Sequence, residues 1–410
     1  MLMRLSASNP PRCIHLLSIW IFICMFLPSA WGQRLPFAKP SDVGMSQERL
    51  DRLTDLVQTA VDARDFPGAV LLVGRQGRIV YRKAFGLSQR QPEPRPMQPE
   101  MIFDIASMTK PVATATAVML LVEQGKLRLE DKVSDFIPEF KPYRKRGANS
   151  NGDIRLWHLL THTSGLPPYV PAPRIEEKLG SPCSLDALTA AIAVIPRNGP
   201  PGEAFDYSCL GYITLARIVR EASGKDLNEY CREHIFMPLQ MNDTMFRPPE
   251  NLRSRCVPTA FYRGSLLRGV VHDPLAYLLG GLSGNAGLFS TGDDLAVFAQ
   301  MLLNEGIFKG IRILSPLTVE RMRSVYPRTE FSGRGLGWDL HSPYASSGGD
   351  LFGPAAFGHT GYTGTSMWLD PDTGTFIIFL TNRVHPDDKG EVISWRSKVA
   401  NVVAASIIDK

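Results

Sequence analysis

Strand patterns lie at both ends of this 410-residue chain and helical patterns fill the stretch between them, which limits the folds open to it. Residues 69–84 contain two apolar runs around a Gly-Arg-Gln-Gly turn, and residues 365–381 contain two more around Pro-Asp-Thr-Gly. Both spacings predict β-hairpins. Apolar residues at helical spacing predict a helix over 46–63, and a helix-like stretch over 391–408 closes the chain. The predicted fold class is therefore α+β, with one antiparallel sheet built from both ends of the chain and flanked by the terminal helices.

The middle of the chain is predicted to be mostly helical. Apolar periodicity indicates helices at 107–123, 154–162, 185–195, 210–222 and 227–236, and a further helix at 293–304. We expect a discontinuous α/β sheet domain at 33–106 and 285–410 and a mostly helical domain at 107–284.

The N-terminal 32 residues are typical of a secretory signal peptide. Arg4 and Arg12 precede an apolar run over 16–27, and Ala30-Trp31-Gly32 suits cleavage before Gln33. We expect an exported, periplasmic or extracellular protein. The alternative is an uncleaved N-terminal anchor, which would be the only membrane contact.

Composition excludes several classes of protein. Hydrophobic residues make up 44% and charged residues 21%, as in ordinary globular proteins. Without the signal segment, 43 basic and 40 acidic residues leave a net charge of +3, which gives no electrostatic footprint for nucleic acid.

Neither a metal nor another cofactor is predicted. The cysteines left after cleavage are Cys183, Cys209, Cys231 and Cys256, whose pairing the sequence leaves open, and their spacing does not resemble a zinc site. His158 and His162 stand four apart on a predicted helix, but Leu159 occupies the position where a metallopeptidase needs glutamate.

Ser107-Met108-Thr109-Lys110 is the strongest chemical signal in the chain. A helix brings positions i and i+3 onto one face. A serine hydroxyl is a poor nucleophile until a base takes its proton, and a lysine whose pKa is lowered by burial can be that base. Taken alone, the pattern could also be a helix cap followed by a surface lysine.

Two further segments strongly favour a catalytic role for Ser107 and Lys110. Tyr207 follows a turn-rich stretch at 201–206 and precedes a predicted helix, and His359-Thr360-Gly361 lies just before a predicted strand. With Ser-x-x-Lys, these resemble the three motifs of serine β-lactamases and penicillin-binding proteins. The segments at 159–166 and 285–291 resemble those of the class C β-lactamase-like group, which includes D-amino-acid-specific peptidases and carboxylesterases.

The resemblance implies an active site in the cleft between the two expected domains, and a role for each matching residue. Ser107 would be the nucleophile of an acyl-enzyme, and Lys110 and Tyr207 would share protons to activate it and later a water. The backbone N–H groups of Ser107 and Tyr362 would form the oxyanion hole. His359 and Gly361 would line the cleft from the edge strand.

Two positions depart from the penicillin-recognising pattern. Cys209 stands where those proteins usually have asparagine, and His359 stands where they have lysine. A thiol is a weak hydrogen-bonding group, and a histidine is only partly charged near neutral pH. Both changes reduce recognition of an anionic β-lactam or D-peptide.

We therefore expect a serine hydrolase that acts on small esters, D-amino-acid peptides or other cell-wall-derived substrates. The alternatives are a genuine β-lactamase or D-Ala-D-Ala carboxypeptidase, and a slowly acylating sensor or scaffold protein. His272-Asp273 raises the possibility of a Ser-His-Asp triad, but the chain has no Gly-x-Ser-x-Gly motif.

Overall fold

The computed structural model describes residues 34–144, 152–342, 344 and 347–409. The predicted signal peptide at 1–32 lies outside the described residues. The helices are α1 (Gln47–Asp62), α2 (Thr116–Glu123), α3 (Val133–Phe136), α4 (Leu156–Leu160), α5 (Ala172–Leu179), α6 (Leu185–Ala193), α7 (Cys209–Ser223), α8 (Leu227–Cys231), α9 (Glu250–Arg253), α10 (Pro274–Leu278), α11 (Gly292–Leu303), α12 (Pro316–Met322) and α13 (Ile393–Ala405).

Thirteen strands are found in the described part of the chain. They are β1 (Gly68–Arg75), β2 (Arg78–Gln89), β3 (Arg95–Pro96), β4 (Phe103–Asp104), β5 (Met245–Phe246), β6 (Phe261–Tyr262), β7 (Ser265–Leu266), β8 (Leu288–Ser290), β9 (Ile307–Phe308), β10 (Ile311–Arg312), β11 (Phe357–Thr360), β12 (Thr365–Asp370) and β13 (Thr375–Thr381).

The main sheet has six strands in the order β11-β12-β13-β1-β2-β3. Every neighbouring pair is antiparallel, and β1 pairs with β13 from Ala69↔Thr381 to Arg75↔Thr375. The two predicted hairpins thus meet at the centre of one sheet. The expected antiparallel sheet built from both ends of the chain is confirmed.

Both faces of this sheet are covered, which explains why all eight residues of β1 are buried. Leu71 and Val73 pack with α1 and α13 on one face, whereas Val70 and Leu72 belong to the larger core on the other face. This alternation is the two-residue period of a strand. The terminal helices therefore lie on one face of the sheet, as expected.

Helix α1 follows from local sequence. Ser46 is its N-cap, and its side chain accepts a hydrogen bond from Arg49 N at 3.3 Å. Four apolar side chains at helical spacing are buried beneath the helix: Leu50, Leu53, Val57 and Ala60. A capped helix with one apolar stripe packs that stripe on a sheet.

The predicted helix at 107–123 is only partly regular. The structure has a 3₁₀ turn at Ala106–Met108, a π-helical segment at Lys110–Ala115, and α2 after it. Pro111 has no N–H, so it cannot make the i→i−4 bond of an α-helix. Wide π turns of this kind are frequent at functional sites.

Helices α4, α6, α7 and α8 confirm the predicted helical region between the two hairpins, with ends that differ by a few residues. Helices α5, α10 and α12 were not predicted, and each begins at or next to a proline. The division into domains at 33–106 with 285–410 and at 107–284 stays a prediction. Among the described residues, none of the helices has the length and apolar character needed to cross a membrane.

Candidate active site

A buried carboxylate, Asp104, holds the turn that carries Ser107. Its Oδ1 accepts a hydrogen bond from Ala106 N at 2.9 Å, and its Oδ2 accepts one from His272 N at 2.8 Å. Burial raises the pKa of Asp104 to about 6, although the two backbone N–H groups oppose the rise. Ala106 has a φ of 46°, which is uncommon for a residue with a Cβ. The bond to Asp104 stabilises this backbone just before the serine.

Lys110 lies next to Ser107 and is fully buried. Its Nζ donates to Ser107 Oγ at 2.9 Å, to the backbone oxygen of Asn285 at 3.0 Å and to Cys209 Sγ at 3.6 Å. An ammonium group has three N–H donors and no acceptor. The three contacts match a protonated lysine.

The pKa of Lys110 does not follow the prediction made from burial alone. Burial is the largest single effect and lowers the pKa, but charge interactions with Cys209 and Tyr207 oppose it, and the net result is a raised pKa. Burial also raises the pKa of the Cys209 thiol, which Lys110 only partly offsets. Near neutral pH the pair is therefore an ammonium and a neutral thiol, and the expected lowered lysine pKa was wrong.

Tyr207, which belongs to the second sequence motif, contacts the same lysine. Lys110 Nζ is 5.0 Å from the centre of the Tyr207 ring. The imidazole of His162 stacks on that ring at 4.3 Å, and the ring of Tyr344 stacks on it at 4.6 Å with an angle of 5° between the planes. These neighbours fix the orientation of the phenol.

His162 also fixes the start of α7. Its Nδ1 accepts a hydrogen bond from the N–H of Ser208, the N-cap of α7, at 3.0 Å. Burial, followed by the positive charges of Arg334 and Lys110, lowers the pKa of His162 well below its usual value. A neutral imidazole is what this acceptor role requires.

The turn between β11 and β12 is hydrogen-bonded directly to the turn that precedes Ser107. Thr363 Oγ1 donates to the backbone oxygen of Asp104 at 2.7 Å, and Thr365 Oγ1 donates to that of Ile105 at 3.1 Å. A Cβ at Gly361 would come within 2.2 Å of Thr365 Oγ1 and 2.5 Å of Ile105 O. Only glycine fits this close approach of two backbones.

His359 lies on the edge strand β11, and 2% of the residue is exposed. Its Nδ1 is 2.8 Å from the backbone oxygen of Thr360, so that nitrogen carries the proton. Its Nε2 has no hydrogen-bond partner in the described part of the chain. Burial, with Arg334 and Lys110 next in size, lowers the pKa of His359 well below its usual value. His359 is therefore a neutral acceptor rather than a cation.

Tyr362 is the most exposed of the predicted site residues, at 57%. Its hydroxyl donates to Asp388 Oδ2 at 2.7 Å, and Arg383 Nε donates to its backbone oxygen at 2.8 Å. The guanidinium carbon of Arg383 lies 4.4 Å from the ring centre, and His272 stacks on the ring at 5.7 Å. The ring is thus held as one wall of an open site.

A cavity of about 1070 Å³ brings most of the predicted residues together. Five of the seven line it, namely Ser107, Tyr207, Cys209, Gly361 and Tyr362. The other two are buried close to Tyr207: Lys110, 5.0 Å from its ring centre, and His359, whose ring centre lies 6.2 Å away. Thr360, the last residue of the edge strand β11, also lines the cavity.

The rival arrangements are not supported by these contacts. For the Ser-His-Asp alternative, His272 lines the cavity, but its backbone N–H donates to Asp104 and its ring stacks on Tyr362. Asp273 Oδ1 caps α10 by accepting from Ala276 N at 2.8 Å.

For the histidine pair at 158 and 162, His158 Nδ1 accepts a hydrogen bond from the backbone N–H of Arg155 at 2.8 Å. In the described part of the chain, all four cysteines are free thiols.

Comparison with known proteins identifies the family. A family profile described as Beta-lactamase matches residues 53–400. The chain belongs to the beta-lactamase family. The N-acetylmuramyl-L-alanine amidase of Bacillus subtilis (strain 168) is 33% identical to this family member over 372 residues, which cover 83% of this chain and 82% of the amidase.

Solved structures show the same fold. EstCE1, described as a hydrolase with promiscuous acyltransferase activity, matches with a TM-score of 0.70 and 24% identity, covering 87% of this chain and 99% of EstCE1. A structure described as a class C beta-lactamase matches with a TM-score of 0.68 and 19% identity, covering 88% of this chain and 97% of that one. The family and the fold together identify this beta-lactamase family member as a serine hydrolase.

Proposed function

We propose that Ser107 is the nucleophile of an acyl-enzyme and that the protein hydrolyses esters or D-amino-acid peptides. The observation that carries the proposal is the contact between Lys110 Nζ and Ser107 Oγ at 2.9 Å, with the Tyr207 ring 5.0 Å from the same Nζ, beside a cavity of about 1070 Å³. A hydroxyl, a buried cation and a phenol at these distances form an acyl-transfer site.

In this mechanism Tyr207 Oη takes the proton of Ser107 as Oγ bonds to the acyl carbon. Lys110, protonated and donating to Ser107 Oγ, stabilises the negative charge that moves between the two oxygens. Tyr207 then returns the proton to the leaving alcohol or amine as its bond to the acyl carbon breaks. A water repeats the sequence to free Ser107. The backbone N–H groups of Ser107 and Tyr362 stabilise the oxyanion.

The charges around the cavity favour a substrate without a carboxylate next to the scissile bond. His359 is neutral, so the third motif supplies no cation. Of the arginines in the lining, Arg383 Nη1 pairs with Asp388 at 2.9 Å, and Arg396 Nη2 donates to the backbone oxygens of Gly361 and Thr365 at 2.9 Å. Both cations are thus already paired or hydrogen-bonded with groups of the protein.

Peptide substrates are the second part of the proposal, and the relative from Bacillus subtilis supports them because its name assigns it the amide bond of N-acetylmuramyl-L-alanine. A cavity of about 1070 Å³ is large enough for a peptide of a few residues. We also propose that the protein is exported, because the segment at 1–32 has the pattern of a signal peptide.

A substrate panel tests the proposal. Protein lacking residues 1–32 is assayed with p-nitrophenyl esters of graded chain length, a peptide ending in D-Ala-D-Ala, and nitrocefin, and kcat/KM values are compared. We expect steady turnover of an ester, with the D-Ala-D-Ala peptide and nitrocefin, which both carry a carboxylate close to the scissile bond, at least about tenfold slower. Ser107→Ala should abolish turnover, and the exposed Ser254→Ala should not.

Three outcomes would contradict parts of the proposal. Nitrocefin as the best substrate would favour a true β-lactamase. A single burst of product without turnover would favour the sensor or scaffold alternative. Wild-type turnover in Lys110→Met, with the exposed Lys126→Met as control, would remove the lysine from the mechanism.

A further inference from the structure

Arg334 and Asp339 form a buried ion pair beside Tyr207. Arg334 Nη2 lies 3.1 Å from Asp339 Oδ2, and both side chains are 2% exposed. The guanidinium carbon is 5.4 Å from the ring centre of Tyr207 and 5.6 Å from that of Phe205. Desolvation largely offsets the attraction within a buried pair, so such a pair is a poor way to stabilise a core. Its place against the catalytic tyrosine points to a role in the reaction.

Asp339 fixes the position of Arg334 relative to the third motif, His359-Thr360-Gly361. Asp339 and Gly358 exchange both backbone hydrogen bonds at 2.9 Å, and Gly358 immediately precedes His359 on β11. The carboxylate also accepts from Ser342, from its N–H at 3.0 Å and from its hydroxyl at 3.1 Å. The guanidinium is therefore fixed relative to both Tyr207 and His359.

In the described part of the chain, Lys110 is the other cation over the Tyr207 ring, 5.0 Å from its centre. Lys110 is protonated, and burial leaves the Cys209 thiol neutral. Burial also raises the pKa of two neighbouring phenols: Tyr344, which stacks on the ring, and Tyr212, whose hydroxyl donates to Leu160 O at 2.9 Å.

Two histidines complete these surroundings. His162 stacks on Tyr207 at 4.3 Å, and the ring of His359 is 6.2 Å away. For both, burial is the largest cause of a lowered pKa and Arg334 is the second. Protonation of His162 Nδ1 would break its bond from Ser208 N–H, which lies directly after Tyr207 in the chain.

We propose that Arg334, held by Asp339, is a positioning residue for Tyr207: its buried guanidinium supports the phenol ring and places a second positive charge, besides that of Lys110, next to it. This inference rests on the proposed catalytic role of Tyr207. The charge keeps His162 and His359 neutral as the pH falls, which preserves the bond from Ser208 N–H to His162 Nδ1 beside Tyr207. This effect extends activity toward lower pH.

The test is the pH dependence of kcat/KM for a short-chain p-nitrophenyl ester in Arg334→Gln and Arg334→Lys. On the acid side of the pH profile, kcat/KM falls as the pH falls. In Arg334→Gln this acid limb should move to higher pH by about one unit, so that kcat/KM at a pH on the limb is about tenfold below the wild-type value. Arg334→Lys keeps the charge and should keep the wild-type limb. The matched control is Arg217→Gln, which removes a half-buried arginine paired with Asp186 at 3.0 Å and should leave the limb in place.

The proposal is overturned if Arg334→Gln shows the wild-type limb, or a loss of equal size at every pH, or if Arg334→Lys shifts as far as Arg334→Gln. Thermal unfolding of each variant shows whether it is folded. Should Arg334→Gln not fold, the double variant Arg334→Met with Asp339→Leu removes both charges and retains apolar packing, and the same shift is expected. Retained turnover in Ser107→Ala would instead refute the proposed function, independently of where the limb lies.

Discussion

The substitution Asp104→Asn should distinguish two effects of the buried carboxylate: its effect on the free energy of unfolding and its contribution to catalysis. The pKa of Asp104 is raised from 3.8 to about 6, so the folded protein binds its proton more tightly than the unfolded chain does. Stability from this group is therefore complete below about pH 4 and is lost as the pH rises through about 6. A shift of this size corresponds to about 3 kcal/mol of unfolding free energy.

The substitution also removes an acceptor. One carboxylate oxygen becomes an NH₂ group, so either Ala106 N–H or His272 N–H loses its partner, at a cost of about 1–3 kcal/mol. At pH 7 relief of the buried charge offsets that loss, and we expect the two proteins to differ by less than about 2 kcal/mol. Between pH 7 and pH 4 the wild type should gain about 2–3 kcal/mol relative to Asp104→Asn.

The assay is urea unfolding followed by tryptophan fluorescence at several pH values in this range, together with kcat/KM at pH 7. Loss of the Ala106 bond should displace Ser107 and lower kcat/KM about 10- to 100-fold. Asp294→Asn is the matched control, because Asp294 is also buried, has a pKa raised to about 7 mainly by burial, and accepts from Thr244 Oγ1 at 2.9 Å. It should show a similar pH effect on stability with unchanged kcat/KM.

A difference in unfolding free energy between wild type and Asp104→Asn that stays constant within about 0.5 kcal/mol from pH 7 to pH 4 would refute the reasoning about the carboxylate. An Asp104→Asn variant with full activity would refute its role in holding the turn that carries Ser107.

Three further predictions concern the same site. Gly361→Ala should lower stability by about 1–3 kcal/mol and reduce kcat more than it raises KM, because the new Cβ forces the strand away from the Ser107 turn; urea unfolding and steady-state kinetics check this, and an unchanged kcat would contradict it. Cys209→Asn should raise kcat/KM for the D-Ala-D-Ala peptide relative to esters, because an amide side chain donates and accepts hydrogen bonds that a thiol makes weakly; an unchanged ratio would speak against a role for this position in specificity. Cys256, which is 1% exposed and has a pKa raised to about 12 mainly by burial, should resist a thiol reagent in the native protein and react after unfolding; rapid native labelling at Cys256, located by peptide mass mapping, would contradict the buried thiol.

Local sequence was sufficient for the elements whose signals are local. The strands at Thr365–Asp370 and Thr375–Thr381 have the predicted bounds, because two apolar runs flank a turn of Pro-Asp-Thr-Gly. Helix α1 begins after its Ser46 cap and has the predicted apolar stripe. Helix α5 was missed because the stretch 167–173, which includes the first two residues of the helix, contains four prolines and is typical of a loop.

The supporting residues of the site could not be predicted, because each acts through a partner distant in the chain. Asp104 binds His272, 168 positions away, and His162 binds Ser208, 46 positions away. Motif spacing locates Ser107, the proposed nucleophile, but not such partners. The same limitation explains the wrong pKa direction for Lys110: burial can be predicted from an apolar helix, whereas the charge effects of Cys209 and Tyr207 depend on tertiary structure.

The central claim is that Ser107 carries the acyl group, and rapid quenching of the enzyme during turnover of an ester tests it directly. Intact-mass and peptide mass spectrometry should find one acyl group per chain, located on Ser107, with no adduct in Ser107→Ala. The adduct should disappear as substrate is consumed. Turnover without any adduct on Ser107, or an acyl group on a different residue that is formed and lost at the rate of turnover, would contradict the account.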